Sequence, residues 1–274
     1  MCSILGMGFH NSIPHKDRQT FKDPAIIKYL LRGLLVESQK RGTDATGVAF
    51  VSTNAITVVK NPISAKTFIS DSDFCVECSK QIDHRIISIL GHCRFKTKGT
   101  ELDNHNNHPI VTENIVGIHN GVINNDEELF RTFPVERKGR VDSEIIFSLL
   151  DYFIHTKKMS IANAIRKMSG LLTGSFACAF VDRTMPHLLW LFRNLNPLVL
   201  HNYAKCGLLM FASHEFFIED AIGETCKEHI GKPTAVKVDY LTCMCINLVR
   251  NSTYSFAIAD GSKRSQSNNQ NIIM

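Results

Sequence analysis

No stretch of the 274 residues approaches the roughly 18 consecutive apolar residues that a membrane-spanning helix needs. The amino terminus lacks the basic segment, long apolar core and small-residue cleavage site of a secretory signal. A cytoplasmic location, with no membrane partner, is the expectation. No basic block interleaves with aromatic residues, and the net charge of +5 is spread along the chain, so nucleic-acid binding is not indicated. No internal repeat appears, and no Pro/Gly/Ser-rich linker divides the body. With 44% hydrophobic and 21% charged residues the chain is long enough to bury a full core. Residues 1–260 read as one large domain, and residues 261–274, dominated by Ser, Asn, Gln, Lys and Arg, as a flexible polar tail.

A disulfide framework is also missing. The nine cysteines are odd in number and scattered, several inside apolar runs such as Phe176-Ala177-Cys178-Ala179-Phe180, which is the pattern of reduced, buried thiols. Cys75-x-x-Cys78 could be completed to a zinc site by Cys243 and Cys245, but the second pair has the wrong spacing and no histidine follows a zinc-finger pattern. No metal and no cofactor are expected.

What is present begins with a helix signal. Asp23 stands at the N-cap and Pro24 at the first helical position. Ile26, Ile27, Leu30, Leu31, Leu34 and Leu35 then recur at helical spacing, and Lys40-Arg41-Gly42 closes the pattern. Runs 47–51 and 55–59, separated by Ser52-Thr53-Asn54, read as a hairpin. Further runs of strand length are 86–90, 115–119, 175–181, 188–192, 198–201 and 208–212. Helices are predicted over Asp142–His155 and Ser160–Met168, and the long, partly polar segment 64–82 reads as a loop that serves as a gate or a family-specific insertion. Because several strands are apolar on both faces, the expected class is α+β, with two antiparallel sheets packed together and covered by helices.

Cys2 follows the initiator Met1 and heads the apolar run Ser3 to Phe9. Aminopeptidases remove a methionine that precedes a small residue, which would leave a thiol and a free α-amine on one residue. A free thiol has a pKa of about 8.5 and is mostly protonated at neutrality. An α-amine, with a pKa of about 7.7–8.0, can take that proton and return it to an amine leaving group.

Five further segments are unusually polar for strand edges. In Arg41-Gly42-Thr43-Asp44-Ala45-Thr46-Gly47, Gly42 alone is better explained as a helix C-cap. Gly91-His92-Cys93-Arg94-Phe95-Lys96-Thr97-Lys98-Gly99 places a guanidinium at a strand exit. That is a candidate clamp for an α-carboxylate, or a solvated basic loop. Asn106-Asn107-His108-Pro109 follows. In His119-Asn120-Gly121 the Asn-Gly pair ordinarily marks a hairpin turn, yet an Asn amide and the next N–H could both point at one oxyanion. Asp142 in Val141-Asp142-Ser143-Glu144 is a good N-cap, and also a counter-charge for an α-ammonium group.

In their order and content these segments resemble the glutaminase domain of class II glutamine amidotransferases, within the N-terminal-nucleophile hydrolase superfamily. The motifs are closest to the glucosamine-phosphate synthase and amidophosphoribosyltransferase types. The resemblance runs from Cys2 to about Ile222 and is carried by Cys2, Arg41-Gly42-x-Asp44-x-x-Gly47, Gly91-His92-x-Arg94-Phe95-x-Thr97-x-Gly99, Asn106-x-His108-Pro109, His119-Asn120-Gly121 and Asp142-x-Glu144. Thr173-Gly174-Ser175-Phe176-Ala177 and Arg193-Asn194-x-x-Pro197-Leu198 add weaker support.

The resemblance implies a four-layer αββα sandwich. It implies that Cys2 attacks the side-chain amide of L-glutamine, releasing ammonia and then glutamate through a thioester. It assigns Asn120 and the Gly121 N–H to the oxyanion hole, Arg94 and Thr97 to the α-carboxylate, Asp142 to the α-ammonium and Arg41 to the orientation of Cys2. Phe95, Lys98 and His108 join the candidate substrate-binding set. Phe95 stands where a Trp or Tyr is common, Lys98 where a His is frequent, and Ser3 where Gly is usual. Relatives fuse this domain to a synthase, whereas here only a short tail follows, so the expected partner is a separate ammonia-accepting synthase protein. The alternatives are hydrolysis of another amide, or a catalytically silent glutamine- or partner-binding module. Homo-oligomerisation stays open.

Overall fold

The computed structural model describes residues 2–10 and 23–259. Met1 and the polar tail from Gly261 onward lie outside the described residues.

In chain order the first half contains β1 (Ser3–Phe9), α1 (Pro24–Ser38), β2 (Ala45–Ser52), β3 (Ile56–Asn61), α2 (Ala65–Phe68), α3 (Ser72–Gln81), β4 (Ile86–Arg94), β5 (Ile110–Val111), β6 (Ile115–Ile123) and α4 (Asp126–Thr132). The second half contains α5 (Glu144–Asp151), α6 (Ile161–Leu171), β7 (Gly174–Asp182), β8 (Leu188–Arg193), β9 (Val199–Tyr203), β10 (Leu208–Ala212), α7 (Glu215–Ile230), β11 (Thr234–Lys237), β12 (Thr242–Asn247) and β13 (Ser252–Ala257). Seven strands form one sheet in the order β11-β9-β10-β1-β4-β2-β3, and six form the other in the order β13-β12-β8-β7-β6-β5. Neighbouring strands are antiparallel.

Three apolar layers hold these sheets. Leu5, Met7 and Phe9 of β1 face Leu30, Leu31 and Leu34 of α1 and Phe217 of α7. Ile4, Ala49 and Leu90 meet Ile118, Ala177 and Leu191 between the sheets. Phe176, Phe180 and Phe192 pack under Ile145, Ile146 and Leu149 of α5 and Ile165 of α6. The sequence helices, sheet, sheet, helices is the αββα sandwich. Strands β2 and β4 are buried on both faces, which is why their sequences run apolar without alternation. Each fully buried Leu or Ile contributes about 1.5–3 kcal/mol.

Asp23 caps α1 as expected, its side chain accepting from the Ala25 N–H at 2.8 Å. Two expectations need correcting, the Asp142 cap and the 64–82 loop. Asp142 is not a helix cap: α5 starts at Glu144, and Asp142 Oδ2 instead accepts from the Ile123 N–H at 2.6 Å. Segment 64–82 folds into α2 and α3, started by Ser64 and Asp71 as N-caps and anchored by buried Phe68, Phe74 and Cys78. Gly42 caps the 3-10 turn at 39–41, its N–H donating to the Gln39 carbonyl at 3.0 Å, but with φ −171° its backbone is extended, so its smallness answers a close approach: a Cβ there would lie 2.4 Å from the Arg94 carbonyl carbon. The Cys75/Cys78 and Cys243/Cys245 pairs lie in different apolar layers and cannot be ligands of one metal.

Candidate active site

The start of β1 sits beside the end of β4, because Ser3 pairs with Cys93 in register. Cys2 therefore reaches the exit of β4, where its thiol donates to the Phe95 carbonyl at 3.3 Å and accepts from the Phe95 N–H at 3.3 Å. The thiol is partly accessible. Burial pushes its pKa up, opposed by the Phe95 backbone bond, and the charges of Arg94 and Asp142 reach it. Arg41 Nε donates to the Cys2 carbonyl at 3.0 Å, and its Nη1 contacts His214 Nε2. Asp44 organises the same exit, with its N–H on the Arg94 carbonyl at 3.0 Å and its Oδ2 accepting from the Lys96 N–H at 2.6 Å.

Arg94 is 2% exposed. Its Nη1 donates to Asn107 Oδ1 at 2.9 Å, and its Nη2 to the carbonyls of Lys98 and Gly99 at 2.7 and 2.9 Å. These bonds use three of the five guanidinium donors and fix the turn that carries Thr97. Asn106 extends the brace, accepting from the N–H groups of Arg140 and Val141 at 2.6 and 3.1 Å, directly before Asp142. Lys98 reaches the other way, donating to Asp126 at 2.7 Å and Glu127 at 2.9 Å. With Arg137 it holds the Glu127 carboxyl down at about 2. Thr97 is exposed on the rim of a polar cavity of about 1060 Å³, shared with Lys96, Gly99 and Arg140. Phe95 is half exposed beside Cys2.

Asn120 and Gly121 lie inside β6, paired with Ala177 and Phe176, so the hairpin-turn reading is overruled by the sheet. Asn120 shares the parity of Ile118 and faces the layer between the sheets. Its Nδ2 is buried, and among the described residues it has no hydrogen-bond partner. Such a donor costs about 1–3 kcal/mol and calls for a reason. Gly121 has φ +152°, and a Cβ there would lie 1.9 Å from the Ser175 carbonyl oxygen. Only glycine fits.

Below this pair lie buried histidines. His92, in register with Ile4, contacts the His119 carbonyl through Nε2 at 3.0 Å. His108 stacks on His92 with centroids 4.1 Å apart, and His119 Nδ1 meets Ser143 Oγ at 2.7 Å. Burial pushes all three below the usual imidazole range, His92 to about 3 and His108 well below that range, while the Asp142 charge partly opposes the shift at His119. His108 is thus placed as a buried support beneath the Arg41–Gly47 segment. Its carbonyl oxygen would lie 2.1 Å from a Cβ on Gly47.

The structure brings Cys2, Arg41, Arg94, Phe95 and Asp142 together, and links Asn120 to them through the His119–His92–Ile4 chain. Asn107, His214 and Asn196 are polar neighbours of the site that the sequence reading left out. Asn107 stood inside a motif already singled out, whereas His214 and Asn196 carry no local signal.

Residues 92–219 match the family described as glutamine amidotransferase domain. The glutamine–fructose-6-phosphate aminotransferase (isomerizing) of Streptococcus pneumoniae serotype 4 is 35% identical over 115 residues, 40% of this chain and 19% of that protein. The enzyme of the same name from Staphylococcus aureus strain Mu50 is 31% identical over 209 residues, 73% of this chain and 30% of that protein. The chain thus aligns with less than a third of these relatives' length. Among solved structures, the glutamine phosphoribosylpyrophosphate amidotransferase of B. subtilis superposes with TM-score 0.67 at 16% identity, covering 94% of this chain and 49% of that one. That likeness concerns the fold. Motif order and relatives agree: the chain carries a class II glutamine amidotransferase domain.

Proposed function

We propose that this site hydrolyses the side-chain amide of L-glutamine with Cys2 as nucleophile. Once Met1 is removed, the α-amine of Cys2 takes the thiol proton and the sulfur attacks the carboxamide carbon. The oxygen of the tetrahedral intermediate is held by Asn120 Nδ2 and the Gly121 N–H. The intermediate collapses as the amine returns the proton to the departing nitrogen, ammonia leaves, and a thioester remains. Water then breaks the carbon–sulfur bond, giving glutamate and the free thiol. The ammonia passes to a synthase acceptor outside these 274 residues.

The observation that carries this reading is the buried, unpartnered Asn120 Nδ2. A preformed donor with nothing to bind in the resting state is what electrostatic stabilisation of a developing oxyanion requires. Asp142 supplies the charge for the α-ammonium, with one oxygen anchored by Ile123, and the two remaining donors of Arg94 serve the α-carboxylate next to Thr97. Arg41 holds the Cys2 backbone, Lys98 tethers the substrate turn to Asp126, and Phe95 flanks the thiol.

The test uses protein whose intact mass shows Met1 removed. Ammonia release from glutamine and a covalent adduct of a glutamine-mimicking electrophile on Cys2 are expected. A processed protein that does neither, alone or with a co-purified acceptor, overturns the reading.

A further inference from the structure

We propose that Asn196 is a positioning residue for the oxyanion site, acting through the Asn120–Gly121 peptide; the assignment rests on the reading above. Asn196 lies in the crossover that carries the chain from β8 in one sheet to β9 in the other. Its Nδ2 donates to the Asn120 carbonyl at 2.6 Å, at the short end for an amide hydrogen bond. That carbonyl and the Gly121 N–H belong to one planar trans peptide and point in opposite directions. A donor fixed on the oxygen therefore fixes where the N–H points. It also draws electron density toward the oxygen, which makes the N–H a stronger donor.

The surroundings keep this contact rigid. Asn194 anchors the base of the crossover: its side-chain oxygen accepts from the N–H groups of Phe176 and Leu195, each at 2.6 Å. Its Nδ2 donates to the Gly174 carbonyl at 2.9 Å, and its own N–H donates to the Phe176 carbonyl at 2.9 Å. Both ends of Asn194 are thus tied to β7, the strand paired with Asn120 and Gly121. Gly121 leaves room for the approach, since a Cβ there would lie 2.7 Å from Asn196 Nδ2. An interaction 76 residues away in sequence so sets the direction of one of the two oxyanion donors.

The experiment compares Asn196→Ala and the isosteric Asn196→Asp with the processed wild type. Removing a whole oxyanion donor costs about 10²–10³ in kcat, and misaiming one should cost about tenfold or more. The expected result is a kcat lowered about tenfold in both variants, with KM for glutamine within about threefold. Binding of glutamate γ-semialdehyde, an aldehyde that adds to the thiol and places an oxygen in the same hole, should weaken by the same factor. Thermal unfolding should show both variants folded at the assay temperature. A wild type that turns over glutamine beside folded variants with unchanged kcat overturns the Asn196 assignment alone. So does a loss that falls on KM and leaves kcat and aldehyde binding intact. A processed wild type that neither hydrolyses glutamine nor captures the aldehyde on Cys2 overturns the reading of the site, and the Asn196 assignment with it.

Discussion

The β4 side and the β6 side of the site treat their polar groups in opposite ways. At the exit of β4 the side chains are engaged: Arg94 on Asn107 and two carbonyls, Asp44 on the Lys96 N–H, and Lys98 on Asp126 and Glu127. On β6 a buried amide donor, Asn120 Nδ2, is left open. Hydrogen bonds on the first side hold a turn in place, and the open donor on the second is held in place by backbone. Under the proposed reading, the first side shapes the site and the second keeps a donor open for the substrate.

The comparison is broken most severely at the proposed nucleophile, Cys2. Cys2→Ala should lower kcat by about 10⁶, as removal of a nucleophile does, when ammonia release is measured. Asn120→Ala should come next, with kcat reduced by about 10²–10³ and KM little changed. Because its Nδ2 has no bond to lose among the described residues, the unfolding midpoint in urea should not fall, and a clear drop would show that Asn120 is structural. Arg94→Ala should shift the loss to stability and to KM for glutamine. It strips the turn of its brace and should cost about 2–4 kcal/mol of stability in the same urea titration.

The histidines beneath the site give a smaller, pH-dependent effect. The folded protein keeps His92 neutral down to about 3, while unfolded imidazoles bind protons near 6.5. The unfolded state then holds more protons, so stability is fully present above about 6.5 and is lost as pH falls from there toward 3. The slope is at most about 1.4 kcal/mol per pH unit for each such histidine, and His92→Gln should flatten it when midpoints are compared across that range. Asp44→Ala should do least. Losing one bond to the 95–99 turn should raise KM for glutamine severalfold and leave kcat nearly intact, worth about 1 kcal/mol.

The strands and the first helix were legible because burial imposes a pattern on neighbouring residues: Leu30, Leu31, Leu34 and Leu35 announce α1 without any partner in view. Other features are fixed by partners far along the chain. Asn120-Gly121 carries a local turn signal that pairing with β7 overrides. Asp142 looked like a cap because the distant backbone donor it binds, Ile123, lies in a strand. The helix α7 has no clear sequence signature because its stripe is interrupted at Gly223, where φ is +58° and the helix kinks. Asn196 and His214 are single polar residues whose partners, Asn120 and Arg41, come from elsewhere in the fold.

The pairing of β1 has a consequence in time. Cys2 stands at the head of a strand flanked by β4 on one side and β10 on the other, with Leu5 opposite Ala212. During synthesis that second flank does not exist until residues 208–212 have left the ribosome. At about 5–20 residues per second, this leaves roughly 10–40 s in which the amino terminus is open to a processing enzyme before the sheet closes on it. The order in which the strands are made thus leaves Cys2 accessible before β1 is locked in place.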